Sequence, residues 1–153
     1  MGTRLLLENI KLPDKGNVLD IGCGYGVIGI VLAKLNPMLR VYMVDINDLA
    51  IKTAKYNAYL NDVADRIVVL KGDLYEPVKS IVFKAIYSNP PLSAGKDLVN
   101  QLIVNAKRYL DNDGFLQIVL AKGHEYYLDL IKKNYVDIEW KKKKGYLIVV
   151  AYN

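Results

Sequence analysis

Short apolar runs alternate along the chain with longer stretches in which apolar residues recur at helical spacing. The apolar runs are rich in β-branched residues and end in glycine, proline or asparagine, which is typical of strands. They predict strands over residues 17–22, 40–46, 67–70, 82–88 and 115–121. The amphipathic stretches predict helices over residues 26–35, from an Asn47 cap to about Asn61, over 97–110 and over 124–132.

The last part of the chain follows a different pattern. Residues 136–142 and 146–152 are two β-like runs joined by Lys143-Lys144-Gly145, which predicts a hairpin, and residues 112–114 predict a turn. Successive strand–helix units favour a parallel sheet with helices on both faces. We therefore predict an α/β fold, with a Rossmann-like, doubly wound, mostly parallel sheet of five such units closed by an antiparallel C-terminal hairpin.

Composition narrows the class of protein without identifying it. The 153 residues are 52% hydrophobic and 24% charged, which predicts one globular domain over residues 1–153. No apolar run approaches a membrane span, and the first residues lack a signal-peptide pattern, so we expect a cytoplasmic protein. The single cysteine, Cys23, excludes an internal disulfide and a multi-cysteine zinc site, and we expect no metal. The net charge of +5 is compatible with nucleic acid but is a weak indication of it.

Ligands of such sheets bind beyond the carboxyl ends of the strands, which directs attention to the first strand end. The sequence there is VLDIGCGYGVIG, residues 18–29. From Gly22 it is a GxGxG loop, and from Gly24 it matches the GxGxxG dinucleotide fingerprint. Glycines allow a ligand to approach the backbone, and the N-terminus of the next helix favours an anion. That anion could be a pyrophosphate or the carboxylate of a methionine, so the loop alone leaves the cofactor open.

The second and third strand ends each present a carboxylate. Asp45 lies 21 residues after Gly24, where it can accept hydrogen bonds from ribose hydroxyls. Asp73 can accept a hydrogen bond from the exocyclic amine of adenine, although an aspartate after a glycine is also common in plain turns. Both carboxylates support an adenosine cofactor and fit either interpretation of the glycine loop.

The fourth strand end separates the two interpretations. It is followed by Ser88-Asn89-Pro90-Pro91-Leu92, in which two prolines fix the backbone and extend the residue before each of them. The Asn89 side-chain oxygen and the Pro90 carbonyl could then be held as neighbouring acceptors. Two acceptors suit a planar NH2 group and would direct its nitrogen lone pair toward an electrophile. The alternative is an ordinary turn after a strand.

These motifs together resemble a known family. D-I-G-C-G-Y-G, V-D-I, G-D-L and N-P-P, in this order, resemble the class I S-adenosylmethionine-dependent methyltransferases, whose sheet typically ends in an antiparallel strand. N-P-P is the mark of members that act on planar amino nitrogens. Residues 2–8, 72–77 and 88–96 look most like the small-subunit (16S) ribosomal RNA guanine-N2 methyltransferases and their stand-alone archaeal-type relatives.

The resemblance implies S-adenosylmethionine as cofactor, RNA as partner and a role for each motif residue. Residues around the methionine end and the ribose of the cofactor would be Asp20, which supports the loop, Gly22, Gly24, Gly26 and Asp45. Residues beside the adenine would be Ile46, Asp73 and Leu74. Asn89 and Pro90 would hold the target amine, with Pro91 and Leu92 on the substrate side.

The sequence departs from the family pattern in two places and leaves other functions open. Members usually carry a further segment before the Gly-Thr pair at residues 2 and 3, and an aromatic residue at the position of Leu92. A protein glutamine-N5 or adenine-N6 methyltransferase presents the same planar NH2, and a non-catalytic cofactor-binding subunit remains an alternative. An NAD-dependent dehydrogenase would need a second domain. Lys141–Lys144 could contact RNA phosphates or equally protect a sheet edge.

Overall fold

Seven strands form one sheet in a computed structural model that describes every residue from Met1 to Asn153. The strands are β1 Gly16–Ile21, β2 Leu39–Asp45, β3 Ile67–Lys71, β4 Phe83–Ser88, β5 Leu110–Leu120, β6 Asp137–Lys143 and β7 Tyr146–Tyr152. Their order is β3-β2-β1-β4-β5-β7-β6. The first five in this order are parallel, whereas β7 runs antiparallel to both β5 and β6. The predicted mostly parallel sheet with an antiparallel C-terminal hairpin is confirmed.

Helices cover both faces of the sheet. They are α1 Gly2–Leu7, α2 Val27–Leu35, α3 Asp48–Leu60, α4 Lys96–Ala106 and α5 His124–Asn134, with 3-10 turns at Ala64–Arg66 and Glu76–Val78. Buried residues of α1, α2 and α3 form one apolar layer, and those of α4 and α5 form the other. Val18 and Leu19 of β1 are fully buried in opposite layers, which explains why this strand is a continuous apolar run.

Local signals account for several element ends. The Asn47 side chain accepts hydrogen bonds from the backbone N–H groups of Leu49 and Ala50, so it caps α3 as predicted. Helix α2 stops at Leu35, before Asn36 adopts an extended conformation ahead of Pro37.

The structure corrects the predicted elements in three places. Helix α1 was absent from the prediction because its six residues are too few for a recognisable helical period. Helix α4 ends at Ala106 rather than at residue 110. Residues 112–114 form a bulge within β5 instead of a turn before it, because Leu110 already pairs with Phe83 and Phe115 pairs with Ala85. The third strand is followed only by a 3-10 turn, so the prediction of five complete strand–helix units is wrong at that unit.

The order of the strands positions the site. The chain leaves β1 toward β2 and β3 on one side and returns to β4 on the other side, so a crevice opens between β1 and β4 at their carboxyl ends. Ser88, the last residue of β4, donates from Oγ to the Ile21 carbonyl at the end of β1, at 2.9 Å. None of the helices combines the length and the apolar character needed to cross a membrane.

Candidate active site

A cleft of about 360 Å³ lies at the carboxyl ends of β1, β2, β3 and β4. Its volume falls within the usual range for small-molecule sites. The wall is formed by Ile21, Gly22, Gly24, Val44, Asp45, Ile46, Gly72, Asp73, Leu74, Ser88, Asn89, Pro90, Pro91, Ser93, Ala94, Leu98 and Leu102.

The glycine loop crosses over the end of β2. The N–H groups of Gly22 and Cys23 both donate to the Val44 carbonyl, at 2.8 and 3.0 Å. Gly22 and Gly24 have φ of 68° and 54°, and a Cβ added to either would meet no protein atom within 4 Å. The loop therefore presents bare backbone to the cleft, in a conformation that strongly favours glycine.

Gly26 and Gly29 serve packing, whereas Gly22 and Gly24 face the cleft. A Cβ on Gly26 would lie 3.1 Å from Met43 Cε, and one on Gly29 would lie 2.2 Å from Met43 Sδ. Both residues therefore allow α2 to pack closely on β2. The Gly29 N–H is already bound to Asp20, which supports the interpretation that the GxGxxG match is an overlap and not a phosphate site.

Asp20 lies behind the loop and is fully buried. Its Oδ2 accepts the Gly29 N–H at 3.0 Å, and its Oδ1 has no hydrogen-bond partner in the protein. Burial raises the pKa of Asp20 from its ordinary value of 3.8 to about 7, because the charged form loses hydration. The Gly29 N–H opposes this rise in pKa, and the charge of Asp45 adds to it.

Asp45 is fixed by two backbone donors. Its Oδ2 accepts the Gly24 N–H and its Oδ1 accepts the Asn47 N–H, both at 2.9 Å. Each carboxylate oxygen can accept a further hydrogen bond, so Asp45 can still bind two hydroxyl groups in the cleft. Ile46 beside it is 66% exposed and offers an apolar surface.

Asp73 and Leu74 form the far wall at the end of β3. Leu74 has φ of 46°, an uncommon conformation for a leucine, and backbone strain of this kind is enriched at functional sites. Gly72 just before them approaches Pro77 so closely that a Cβ would lie 2.2 Å from Pro77 Cγ. A proline turn thus holds this wall in position.

Asn89 is oriented by a residue from the first helix. Its Nδ2 donates to Thr3 Oγ1 at 2.9 Å, which leaves Oδ1 as an acceptor that no protein donor uses. The Pro90 carbonyl also accepts no hydrogen bond from the protein, whereas the Pro91 carbonyl accepts the Ala94 N–H. A Cβ on Gly2 would lie 2.8 Å from Asn89 Oδ1, so a larger residue there would displace the Asn89 amide from its present position.

The cleft brings together most of the residues proposed from the sequence. Nine of the twelve line its wall, from both sides of the crevice. Asp20 and Gly26 lie behind the loop instead, and Leu92 lies outside the wall with 65% of its surface exposed. Their roles toward a cofactor and a substrate remain predictions.

Sequence reasoning missed two parts of the site. Ser93, Ala94, Leu98 and Leu102 close the cleft from α4 and from the loop before it. Leu98 and Leu102 are four residues apart and so share one face of α4, but the sequence predicted only a helix there and not which face meets the cleft. Thr3 was missed because no local pattern links it to Asn89, 86 residues away.

Comparison with known proteins shows which family the sequence resembles. The model of the methyltransferase small domain family matches residues 1–150. Uncharacterized protein YbxB of Bacillus subtilis is 33% identical over 98% of this chain and 77% of its own length. Ribosomal RNA small subunit methyltransferase C of Mannheimia succiniciproducens is 39% identical over 86% of this chain, and that of Haemophilus influenzae is 34% identical over 94%. The alignments span only 39% and 44% of those two proteins.

Solved structures share the fold. A T. thermophilus 16S rRNA N2 G1207 methyltransferase, in complex with AdoMet and guanosine, superposes with a TM-score of 0.86 at 21% identity. The match covers 99% of this chain and 43% of that one. A precorrin-6y C5,15-methyltransferase from Geobacter metallireducens superposes with a TM-score of 0.81 at 16% identity, over 98% of this chain and 86% of that one. At these identities the likeness concerns the fold alone.

Proposed function

The chain belongs to the methyltransferase small domain family and is therefore an enzyme of methyl transfer, and on that premise we propose that it methylates an exocyclic amino group of RNA. The target we propose is guanine N2 of ribosomal RNA, since relatives that are 34–39% identical are named as small-subunit ribosomal RNA methyltransferases. Residues 1–153 would act as one domain, in the cytoplasm. The observation that carries the proposal is the pair of unused acceptors at Asn89 and Pro90.

The chemistry of the cleft fits S-adenosylmethionine. The bare backbone at Gly22 and Gly24 leaves room where a methionine carboxylate would meet the start of α2. Asp45 would accept the ribose hydroxyls, and Ile46 and Leu74 would flank the adenine, with Asp73 accepting from its amine. When bound, S-adenosylmethionine supplies a methyl group on a positively charged sulfur. Asp20 and Gly26 would keep the loop in shape from behind.

On the other side of the cleft, two acceptors would hold the target amine. Asn89 Oδ1 and the Pro90 carbonyl would each accept one N–H, which directs the nitrogen lone pair into the cleft. Both oxygens would also stabilise the positive charge that develops as the nitrogen becomes tetrahedral. No general base is needed for this arrangement, because the surplus proton can leave to solvent. Pro91 would complete the wall, and Leu92 would contact the target from outside it.

The test separates the acceptors from the cofactor site. Asn89→Ala should lower methyl transfer by roughly 10²–10³-fold, the usual effect of removing one group that stabilises developing charge. S-adenosylmethionine affinity, measured by calorimetry, should not change. Asn134→Ala is the matched control, because the Asn134 side chain bonds only the Leu130 carbonyl within α5. Undiminished transfer by Asn89→Ala would contradict the mechanism.

The substrate class is tested with the wild-type protein and a labelled methyl group. Separate pools of RNA, DNA and protein should show label in RNA alone, on guanine N2 after digestion to nucleosides. Label on protein glutamine or on adenine would replace the proposed substrate, since both present the same planar NH2. Tight cofactor binding without transfer to any pool would instead indicate a non-catalytic subunit.

A further inference from the structure

The turn between β6 and β7 lies at the end of the sheet where the cleft opens, beside the carboxyl ends of the parallel strands. Strand β7 runs antiparallel to β5, and Leu147 pairs with Leu120, the last residue of β5. The turn of the hairpin therefore projects beyond the carboxyl ends of the parallel strands. A Cβ on Gly2 would lie 3.2 Å from Tyr146 Cε1 and 2.8 Å from Asn89 Oδ1, so the base of the hairpin and the proposed amine acceptor meet at one residue.

Four consecutive lysines, Lys141–Lys144, occupy the end of this hairpin, and we call them the lysine tip. All four are exposed. Only Lys143 has an acidic partner, with its Nζ 3.2 Å from Glu8 Oε2. Every residue of β6 from Trp140 onward is exposed. The side chains of Lys141, Lys142 and Lys144 are therefore accessible to a ligand.

The turn itself carries a lysine at a strained position. Lys143 pairs with Tyr146, which leaves a two-residue loop of Lys144 and Gly145 with φ of 50° and 79°. Turns with two positive φ values favour Asn-Gly or Gly-Gly, and a residue with a Cβ costs about 1 kcal/mol there. Protection of the sheet edge explains lysines within β6, but Lys144 lies beyond the paired strand. A strained charge at the end of the sheet where the cleft opens suggests a functional role for that charge.

We infer that the lysine tip binds backbone phosphates of the RNA whose base enters the cleft. The inference rests on the proposed function, since it needs RNA as the substrate. Lysines contact phosphates as point charges and so position a strand without reading its sequence. Contacts of this kind would offset part of the energy of extruding a base. That matters here because Leu92 stands where an aromatic residue would stack on the base.

The test reverses the charge of two lysines in the lysine tip, and the control reverses the charge of two lysines in α5. The double variant Lys142→Glu with Lys144→Glu is compared with Lys132→Glu plus Lys133→Glu, two exposed lysines in the last turn of α5 at the opposite edge of the sheet. Binding to a fluorescently labelled single-stranded RNA is followed by anisotropy between about 50 and about 200 mM salt. The tip variant should bind at least tenfold more weakly, with the slope of log K against log salt reduced by about 1.4, or 0.7 per lost phosphate contact.

The control variant should bind RNA within twofold of wild type, and both variants should bind S-adenosylmethionine normally. Lys144→Asn gives a second readout, because asparagine tolerates positive φ better than lysine. It should raise the melting temperature while it lowers RNA affinity, a combination that a purely structural lysine would not give.

The outcomes distinguish the two proposals. If the wild type methylates RNA and the tip and control variants bind RNA equally well, the inference is overturned and the proposed function stands. If the wild type neither binds nor methylates RNA, the proposed function fails and the inference fails with it. Methylation of RNA by the wild type, together with weaker RNA binding in the tip variant alone and intact cofactor binding, supports both.

Discussion

The two halves of the cleft are built in different ways. The half that we propose for the cofactor, called the cofactor half, comprises the ends of β1, β2 and β3. Its hydrogen bonds join residues close in sequence: Asp20 to Gly29 across nine positions and Gly24 to Asp45 across 21. The half that we propose for the substrate, called the substrate half, comprises the end of β4, the loop after it and α4, and it is supported from outside the wall by α1 and the base of the hairpin. Its contacts join distant residues, such as Asn89 to Thr3 across 86 positions and Lys143 to Glu8 across 135.

Because of this difference, the two halves of the cleft depend on different parts of the chain for their shape. The cofactor half is made by consecutive strand–helix units and keeps its shape through its own backbone. The substrate half depends in addition on both ends of the chain, because Thr3 of α1 accepts the Asn89 Nδ2 hydrogen bond and Lys143 of the hairpin pairs with Glu8 at the end of α1. Substitutions in the first half should therefore change S-adenosylmethionine affinity, and substitutions in the second should change turnover with little effect on that affinity. Three predictions test this separation, from the largest expected effect to the smallest.

Asp45→Ala should weaken S-adenosylmethionine binding by about 100-fold. The substitution removes the proposed acceptor of the ribose hydroxyls, and each hydrogen bond to a charged group contributes about 1.5–3 kcal/mol. It also releases the Gly24 N–H that Asp45 holds at 2.9 Å. Isothermal calorimetry measures the affinity directly.

Asp48→Ala is the matched control for this change. Asp48 is three residues further on, is exposed, and pairs only with Lys71 at 2.9 Å, so its loss should alter cofactor affinity by less than about twofold. Equal losses in the two variants would mean that general charge near the cleft, and not the position of Asp45, determines binding.

The next prediction concerns the pH dependence of stability, which Asp20 in the cofactor half should control. The pKa of Asp20 is about 7 in the folded protein against an ordinary 3.8, so the folded state binds the proton more tightly than the unfolded state. The free energy of unfolding should then fall as pH rises from 5 to 7, by up to roughly 2 kcal/mol. The stabilisation is fully present below pH 4 and is lost above pH 7.

Asp20→Asn should remove this slope. Urea unfolding at pH 5, 6 and 7 measures the free energy, and the variant should give the same value at all three. The carboxylates with lowered pKa values, Glu8, Asp48, Asp111 and Glu139, lose their stabilising effect only at more acidic pH, so they do not obscure the window. A wild-type protein whose stability is flat from pH 5 to 7 would show that Asp20 is hydrated or paired in solution.

The same contrast explains how far the sequence predicts the structure. The glycine loop, Asp45 and Asp73 could be predicted because each is a short motif at a strand end, and the parallel topology brings strand ends together. The bulge at residues 112–114 could not, since its residues are ordinary turn formers and only the pairing of β5 with β4 keeps them inside a strand. Thr3 could not be assigned to the site, because its contact with Asn89 is set by tertiary packing between residues 86 positions apart. For Lys141–Lys144 the sequence left RNA contact and protection of a sheet edge as equal alternatives, because it does not show which end of the sheet the hairpin turn reaches.

Thr3→Val gives the smallest effect and the finest test of the substrate half. Valine keeps the shape of threonine but cannot accept the Asn89 Nδ2 hydrogen bond, so the amide is free to turn its NH2 toward the target amine. The loss of one hydrogen bond of about 1 kcal/mol should lower kcat by roughly three- to tenfold. KM for RNA, cofactor affinity and melting temperature should stay close to wild type.

Thr3→Ser decides between the hydroxyl and its methyl group. Serine restores the acceptor and removes only the methyl, so kcat should return to within about twofold of wild type. If serine were as slow as valine, Thr3 would act by packing α1 against β4 and not by orienting Asn89. If Thr3→Val weakened S-adenosylmethionine binding instead of turnover, the two halves would share one network. The long-range contacts of α1 would then support the cofactor as much as the substrate, and the separation drawn from sequence distance would be wrong.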